Sequence, residues 1–224
     1  MSTPDELREL VESYLADLAL TPELDGLEES MRNALAGGGK RVRPVLCLAT
    51  AEAAGAEAEA ALPAAAALEL VHNFSLVHDD LPALDNDELR RGRPSTWAGF
   101  GEAVAILAGD ALLAEALRLA LSYPTPAVAR ELVQATLGMI GGQYLDVTGA
   151  QTDLASLHRL KTGCLFSASV ACALWVAEVP ERERRPRRAP ADEAAERAQA
   201  RLGEIPAETS VLAGIVSGLA ARTS

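Results

Sequence analysis

Between His78 and Pro94 the chain places five carboxylates (Asp79, Asp80, Asp85, Asp87, Glu88) directly before three arginines (Arg90, Arg91, Arg93). The rest of the sequence reads as apolar helix. This acidic knot limits what the chain can fold into more than any other stretch. At an effective dielectric near 20, two unit charges about 6 Å apart repel by roughly 3 kcal/mol. In water the cost falls to about 1 kcal/mol or less. The knot is therefore either an exposed helix end with scattered charges or a buried cluster around a cation. Hard divalent ions with oxygen ligands are the usual partners of such clusters. Arginines beside a metal point in turn to a polyanion that metal and guanidinium share.

Spacing bears on that choice. Each residue of a straight helix advances about 100°. Asp79 and Asp85, six positions apart, would point to nearly opposite sides. Pro82 lacks a backbone donor and bends or ends a helix. The Leu81-Pro82-Ala83-Leu84 segment can then loop out and return Asp85 to Asp79 and Asp80, where the carboxylates can share metal ions.

Elsewhere the periodicity is helical and strand alternation is absent, so the fold class is all-α. Leu7, Leu10, Val11, Tyr14 and Leu15 share one face, with Thr3 as cap and Pro4 as first helical residue. Further helices are predicted over residues 24–35, from Pro44 to near Gly55, from Pro63 into the acidic knot, and over residues 97–121, 128–144 and 154–176. After Val179 comes a charged stretch rich in proline and arginine, read as a solvated linker. The predicted organisation is a helical core over residues 1–178, a linker over 179–190 and C-terminal helices of the same domain over 191–224.

A second chemical feature precedes the Pro44 helix: Gly37-Gly38-Gly39-Lys40-Arg41-Val42-Arg43. Glycines let backbone amides approach a ligand, and a helix N-terminus carries partial positive charge. Lys40 and Arg43, three apart, can face the same way. Together they suit a diphosphate, although an ordinary helix-to-helix turn with surface basic residues would look similar. The Walker spacing of glycine, lysine and hydroxyl is absent.

The formal net charge of -12 argues against nucleic acid as a partner, because phosphate backbones are held by basic surfaces. Cys47, Cys164 and Cys172 sit in apolar helical contexts without a Cys-x-x-Cys pair, and read as buried thiols of a cytoplasmic protein. The polar, acidic N-terminus is unlike a signal peptide, and no apolar run is read as a membrane span.

Taken in order, these motifs resemble the trans-isoprenyl diphosphate synthases, the polyprenyl synthetase family. The likeness spans most of residues 7–172. It includes Gly38-Gly39-Lys40 through Pro44, Glu69-Leu70-Val71-His72, the aspartate-rich run and Gly109-Asp110. Gly141-Gly142-Gln143-Tyr144-Leu145-Asp146 and Leu157 to Gly163 complete it. The resemblance implies a helical bundle around a central cavity. It implies that Lys40, Arg43, His72 and Arg91 hold isopentenyl diphosphate, and that Asp79 and Asp85 bind Mg2+ with Asp80 in support. Arg90 and Lys161 would grip the allylic diphosphate, with Thr162 and Gln143 lining the same cavity. Asp79, Asp80, Asp85, Arg90 and Lys161 would then carry the catalysis: ionisation of an allylic diphosphate (dimethylallyl or geranyl), attack by the isopentenyl double bond and loss of a proton. Bulk at Phe74 would limit product length. With two extra residues inside the aspartate-rich motif, the chain looks like a bacterial short-chain enzyme of the farnesyl type, with a geranylgeranyl product still open. A homodimer, or a heterodimer with a related subunit, is implied as well.

Read residue by residue, His72 also suits a core histidine, and Gln143 and Asp146 could simply bridge helices. Lys161 lies in an apolar stretch where an unpaired ammonium is costly, which calls for an anionic partner. The family's second Asp-Asp-x-x-Asp motif is not found: after Asp153 the only aspartate is Asp192, in a context that does not match. The C-terminal half thus reads as truncated. Two functions follow, a prenyltransferase or a non-catalytic diphosphate-binding homologue that partners a complete synthase.

Overall fold

The computed structural model describes residues 2–36, 39–149 and 153–180. The predicted linker beyond Pro180 and the C-terminal helices over 191–224 lie outside the described residues. Within them the fold is all-α, as the periodicity requires.

Helix α1 (Pro4–Ala16) starts with a capping box. The Thr3 hydroxyl accepts from the Glu6 N–H, and the Glu6 carboxylate accepts from the Thr3 N–H. Its inward face is Leu7, Val11 and Leu15. Instead of one helix over 24–35, a 3-10 turn (Pro22–Leu27) leads into α2 (Glu28–Leu35). Pro22 and Gly26 weaken helix propensity there. The Thr21 N–H donates to the buried Glu115 carboxylate at 3.0 Å and anchors the turn.

Helix α3 (Val42–Ala53) begins two residues before Pro44, which sits in the first turn where no N–H is needed. A 3-10 turn (Ala58–Ala61) opens α4 (Leu62–Asp79), the central helix. The Tyr123 hydroxyl ties this entry down, accepting from Ala64 N–H at 3.1 Å and donating to Ala60 O at 2.9 Å. The stretch Ala58–Asp79 is long and apolar enough to cross a membrane, but most of it is buried inside the bundle.

The helix predicted over 97–121 is two: α5 (Thr96–Phe100) and α6 (Glu102–Ala120). They break at Gly101, whose φ of 88° is open to glycine. Helices α4 and α6 form the most extensive helix pair. Small buried residues line both, Ala64 to Ala67 on α4 and Ala105, Ala108 and Gly109 on α6. A Cβ at Gly109 would clash with the Nε2–Cδ2 edge of the His78 ring, so that glycine admits the imidazole.

Helix α7 (Ala127–Thr148) ends at Gly149 in the left-handed region. The predicted 154–176 helix follows one path in three windings: α8 (Leu154–His158), a π turn (Arg159–Gly163) and α9 (Cys164–Val176). Here Gly138 and Gly142 of α7 make room, the first for the Cys164 sulfur, the second for the Lys161 backbone.

Periodicity also missed a small β-ribbon. Strands β1 (Leu89–Arg90) and β2 (Arg93–Pro94) pair antiparallel, with Leu89 opposite Pro94 and Arg90 opposite Arg93. Arg91 and Gly92 link them, both at positive φ (54° and 79°), as a tight two-residue hairpin demands. Two residues per strand are too few for alternation to show.

A Cβ at position 142 would meet the Lys161 backbone nitrogen at 2.6 Å, an atom that cannot rotate away. Gly142→Ala is therefore expected to destabilise the chain by about 1–3 kcal/mol. In a domain of this size that lowers Tm by roughly 2–10 °C in a circular-dichroism melt. An unchanged Tm would show that α7 does not seat directly on the π turn.

Candidate functional site

The acidic knot folds as Pro82 suggested. Helix α4 ends at Asp79, and the following loop turns its own N–H groups onto the free carbonyls. Asp85 N–H donates to Asp79 O at 2.9 Å, Asn86 N–H to Leu81 O at 3.1 Å and Asp87 N–H to Asp80 O at 3.0 Å. Asn86 takes a positive φ to complete the turn. Asp85 thus returns to the end of the helix that carries Asp79.

The carboxylates then differ. Asp80 is buried, 3 % exposed, and is held by the Arg90 guanidinium through Nε (3.0 and 3.2 Å) and a close Nη2 contact. Asp79 is half-buried, and no described residue donates a hydrogen bond to its carboxylate. Burial pushes its carboxyl up to about 6; Lys161 and Arg90 oppose the rise, while Asp85 and Asp80 add to it. Asp85 itself is exposed.

The second cluster is cationic. His72, on the same helix, is driven down to about 3 by burial and by the guanidinium groups of Arg43, Arg91, Arg41 and Arg90. Its imidazole is therefore neutral at neutral pH. Arg43 lies 4.8 Å from the Phe166 ring centroid, with its Nε buried and without a described partner. Burial lowers the Arg43 pKa, and Glu69 partly restores it. Arg91 packs on Gly39: a Cβ there would sit 2.8 Å from Arg91 Nη1. Lys40 is exposed. The helical spacing expected of Lys40 and Arg43 does not hold, because Arg41 between them is left-handed (φ 47°) and α3 starts only at Val42.

Lys161, on the π turn, has the anionic partner that its apolar setting called for: its ammonium donates to the Asp146 carboxylate of α7 at 2.6 Å. Asp146 therefore does bridge helices. One turn earlier on α7, both amide atoms of Gln143 are buried without a described partner. An unmet buried amide costs about 1–3 kcal/mol, which marks the position as suited to a ligand. Thr162 is exposed beside Lys161. Phe74 is buried on α4, with its ring edge-on to His78 at 5.0 Å.

The residues thus form a carboxylate zone (Asp79, Asp85) near Lys161 and a cationic zone around His72. Arg90 influences both. The sequence reading missed what stiffens them. Arg41 is 4 % exposed and pairs with Glu12 and Glu69. The only trace of this in the sequence is a third basic residue inside the loop.

The Polyprenyl synthetase family model matches residues 25–194. A geranylgeranyl diphosphate synthase of Cyanophora paradoxa is 40% identical over 193 residues, 80% of this chain and 64% of that protein. A farnesyl diphosphate synthase of Bacillus subtilis strain 168 is 39% identical over 174 residues, 71% of this chain and 59% of that protein. A crystal structure of geranylgeranyl pyrophosphate synthase superposes with a TM-score of 0.75 at 33% identity, covering 82% of this chain and 58% of that one. The chain thus spans about three-fifths of the length of the relatives it matches. With a family model over most of the sequence, and the aspartate loop and basic cluster on one bundle, the chain belongs to the polyprenyl synthetase family of trans-isoprenyl diphosphate synthases.

Proposed function

We propose that the chain is a magnesium-dependent prenyltransferase that joins isopentenyl diphosphate to dimethylallyl or geranyl diphosphate, giving a short-chain product such as farnesyl diphosphate. The observation that carries this reading is Asp79: a half-buried carboxylate without a described donor, with Asp85 folded back to it and Lys161 close by. Such a group asks for a cation.

The residues fit magnesium in particular. Among the described residues no three His, Cys, Asp or Glu side chains gather into a cage. Asp80 is committed to Arg90. That leaves Asp79 and Asp85, and magnesium is commonly held by one or two carboxylates, with waters and substrate phosphates completing its shell. When bound, the metal supplies neutralisation of the charge that develops on a departing diphosphate.

The chain's own groups do the rest. Arg90 and Lys161 orient the allylic diphosphate and stabilise it as it leaves. Lys161 exchanges Asp146 for that ligand. Arg43, Arg91 and the neutral His72 hold the isopentenyl diphosphate, with Lys40 reaching in from the surface. Gln143 and Thr162 line the allylic side, and Phe74 is the floor that limits chain length. The relatives' names include both farnesyl and geranylgeranyl synthases, so a geranylgeranyl product belongs to the same proposal.

A second reading, a diphosphate-binding homologue with weak or no turnover, rests on the sequence alone, in which no second Asp-Asp-x-x-Asp motif is found. Loss of about 4 kcal/mol of leaving-group stabilisation slows ionisation on the order of 10³-fold. For partners, α7 exposes Val133, Leu137, Ile140, Tyr144 and Val147, alternately four and three residues apart. That is the spacing of a helix-packing seam, and it supports a dimer of this chain or a pair with a related subunit. A cytoplasmic location belongs to the same reading, supported by free thiols at Cys47, Cys164 and Cys172.

Calorimetry is expected to show geranyl diphosphate binding more tightly in magnesium than in chelator, and Asp79→Ala is expected to remove that difference. Equal binding with chelator would refute the metal bridge. Labelled isopentenyl diphosphate incubated with geranyl diphosphate should give an extractable labelled prenol after phosphatase treatment. Binding without product, even at high protein, selects the second reading.

Asp79 also sets a pH dependence. Its folded pKa, about 6, exceeds the ordinary 3.8, so the folded chain holds the proton more tightly. The stability this confers is complete below the ordinary value and is lost as pH rises through about 6. In metal-free buffer Asp79→Asn should therefore melt above the native chain at pH 7, with a smaller gap at pH 5. A gap that widens on acidification would reverse the sign and defeat the assignment.

Leu137→Glu should convert a dimer to a monomer by light scattering. An unchanged dimer mass would remove the α7 seam from the interface.

A further inference from the structure

Arg41 lies in sequence between the two basic residues assigned to isopentenyl diphosphate, yet its own guanidinium is taken up by carboxylates of the chain. The side chain is 2 % exposed. Its Nε and Nη2 fork onto the two oxygens of Glu12 in α1, at 2.8 and 3.2 Å. Nη1 donates to Glu69 Oε1 of α4 at 2.7 Å, and Nη2 also donates to the Leu35 carbonyl, in the last turn of α2, at 2.6 Å. One guanidinium therefore ties three helices at the point where the chain turns left-handed between Lys40 and Arg43.

Glu69 is the reason this matters. It is 3 % exposed and lies one turn before His72 on α4. Besides Arg41 it takes a 3.2 Å hydrogen bond from Asn73. Its charge also reaches Arg43, whose Nε has no described partner. A buried carboxylate seeks the nearest cation. Arg43 already lies within the field of Glu69 and, with Arg41 gone, offers it a cation.

We propose that Arg41 is a positioning residue for diphosphate recognition: by engaging Glu12 and Glu69 together it keeps Glu69 from pairing with Arg43, so that Arg43 stays available to an anionic ligand. Lysine cannot replace it. A single ammonium has no planar fork and cannot serve two carboxylates and a carbonyl in these directions. The inference rests on the reading that Arg43, His72 and Arg91 hold a diphosphate.

The test is titration of the full chain with inorganic pyrophosphate in metal-free buffer, which reads the basic cluster without turnover. Arg41→Lys is expected to weaken binding about tenfold, because Glu69 then competes for Arg43. Adding Glu69→Gln to Arg41→Lys should restore binding to within about threefold of native, because the competing charge is gone. A merely structural role would give no such rescue. Native affinity in Arg41→Lys, or a double variant as weak as the single, overturns the proposal. Should Arg41→Lys not fold, Glu69→Gln alone decides: with Arg41 intact it must bind pyrophosphate at least as tightly as native, and weaker binding overturns the proposal. No pyrophosphate binding by the native chain in metal-free buffer overturns the assignment of Arg43, His72 and Arg91 to a diphosphate, and this inference with it, but leaves the metal bridge at Asp79 and Asp85 standing. Pyrophosphate binding with no prenyl product refutes only the catalysis.

Discussion

Helix α4 stops at Asp79, and the carbonyls of its last turn need partners other than a continuing helix. A helix end leaves four such acceptors, and burying them unpaired is costly. Here Asp80 and Leu81 N–H take the Leu76 and His78 carbonyls, and beyond Pro82 Asp85 N–H takes that of Asp79, while Asn86 and Asp87 close the loop on Leu81 and Asp80. This local requirement draws together side chains that would repel one another in an open chain. It sets Asp85 near Asp79 and frees Asp80 to take Arg90.

The bundle works toward the same end by subtraction. Alanine and glycine where α4 meets α6 let the backbones approach, and Gly109 gives the His78 ring its place. Gly138 and Gly142 do the same where α7 meets the π turn. A π turn places one extra residue in its winding and is found often at functional positions. In this chain it carries Lys161 to Asp146 and into the field of Asp79.

Much of this was legible in the sequence because the signals were strong and local. Thr3, Pro4 and Glu6 specify a helix start by side-chain hydrogen bonds alone. Pro82 announces the loop by what it cannot donate. The break at Gly101 was missed because glycine inside an apolar helical pattern is tolerated as often as not. The π turn was missed because its cause lies in another helix, in the space above Gly142. Arg41 was hidden for a related reason. Its left-handed backbone and buried pairs arise from Glu12 and Glu69, 29 and 28 residues away along the chain. No pattern within its own segment could reveal that. Likewise, Lys40 and Arg43 matched a helical interval, but the helix begins only after Arg41.

The β-ribbon over Leu89 to Pro94 sends chemically identical neighbours to different places, Arg90 to Asp80 and Arg91 to Gly39. Arg90 ends a strand and Arg91 opens the turn at positive φ, so the change of backbone at that single step parts them. With a two-residue turn and two residues on each side, the ribbon has no slack in which to absorb a slip. The length of this segment is consequently under tighter constraint than its composition: one inserted residue would move the turn off Arg91 and Gly92 and take both guanidinium groups from their present addresses.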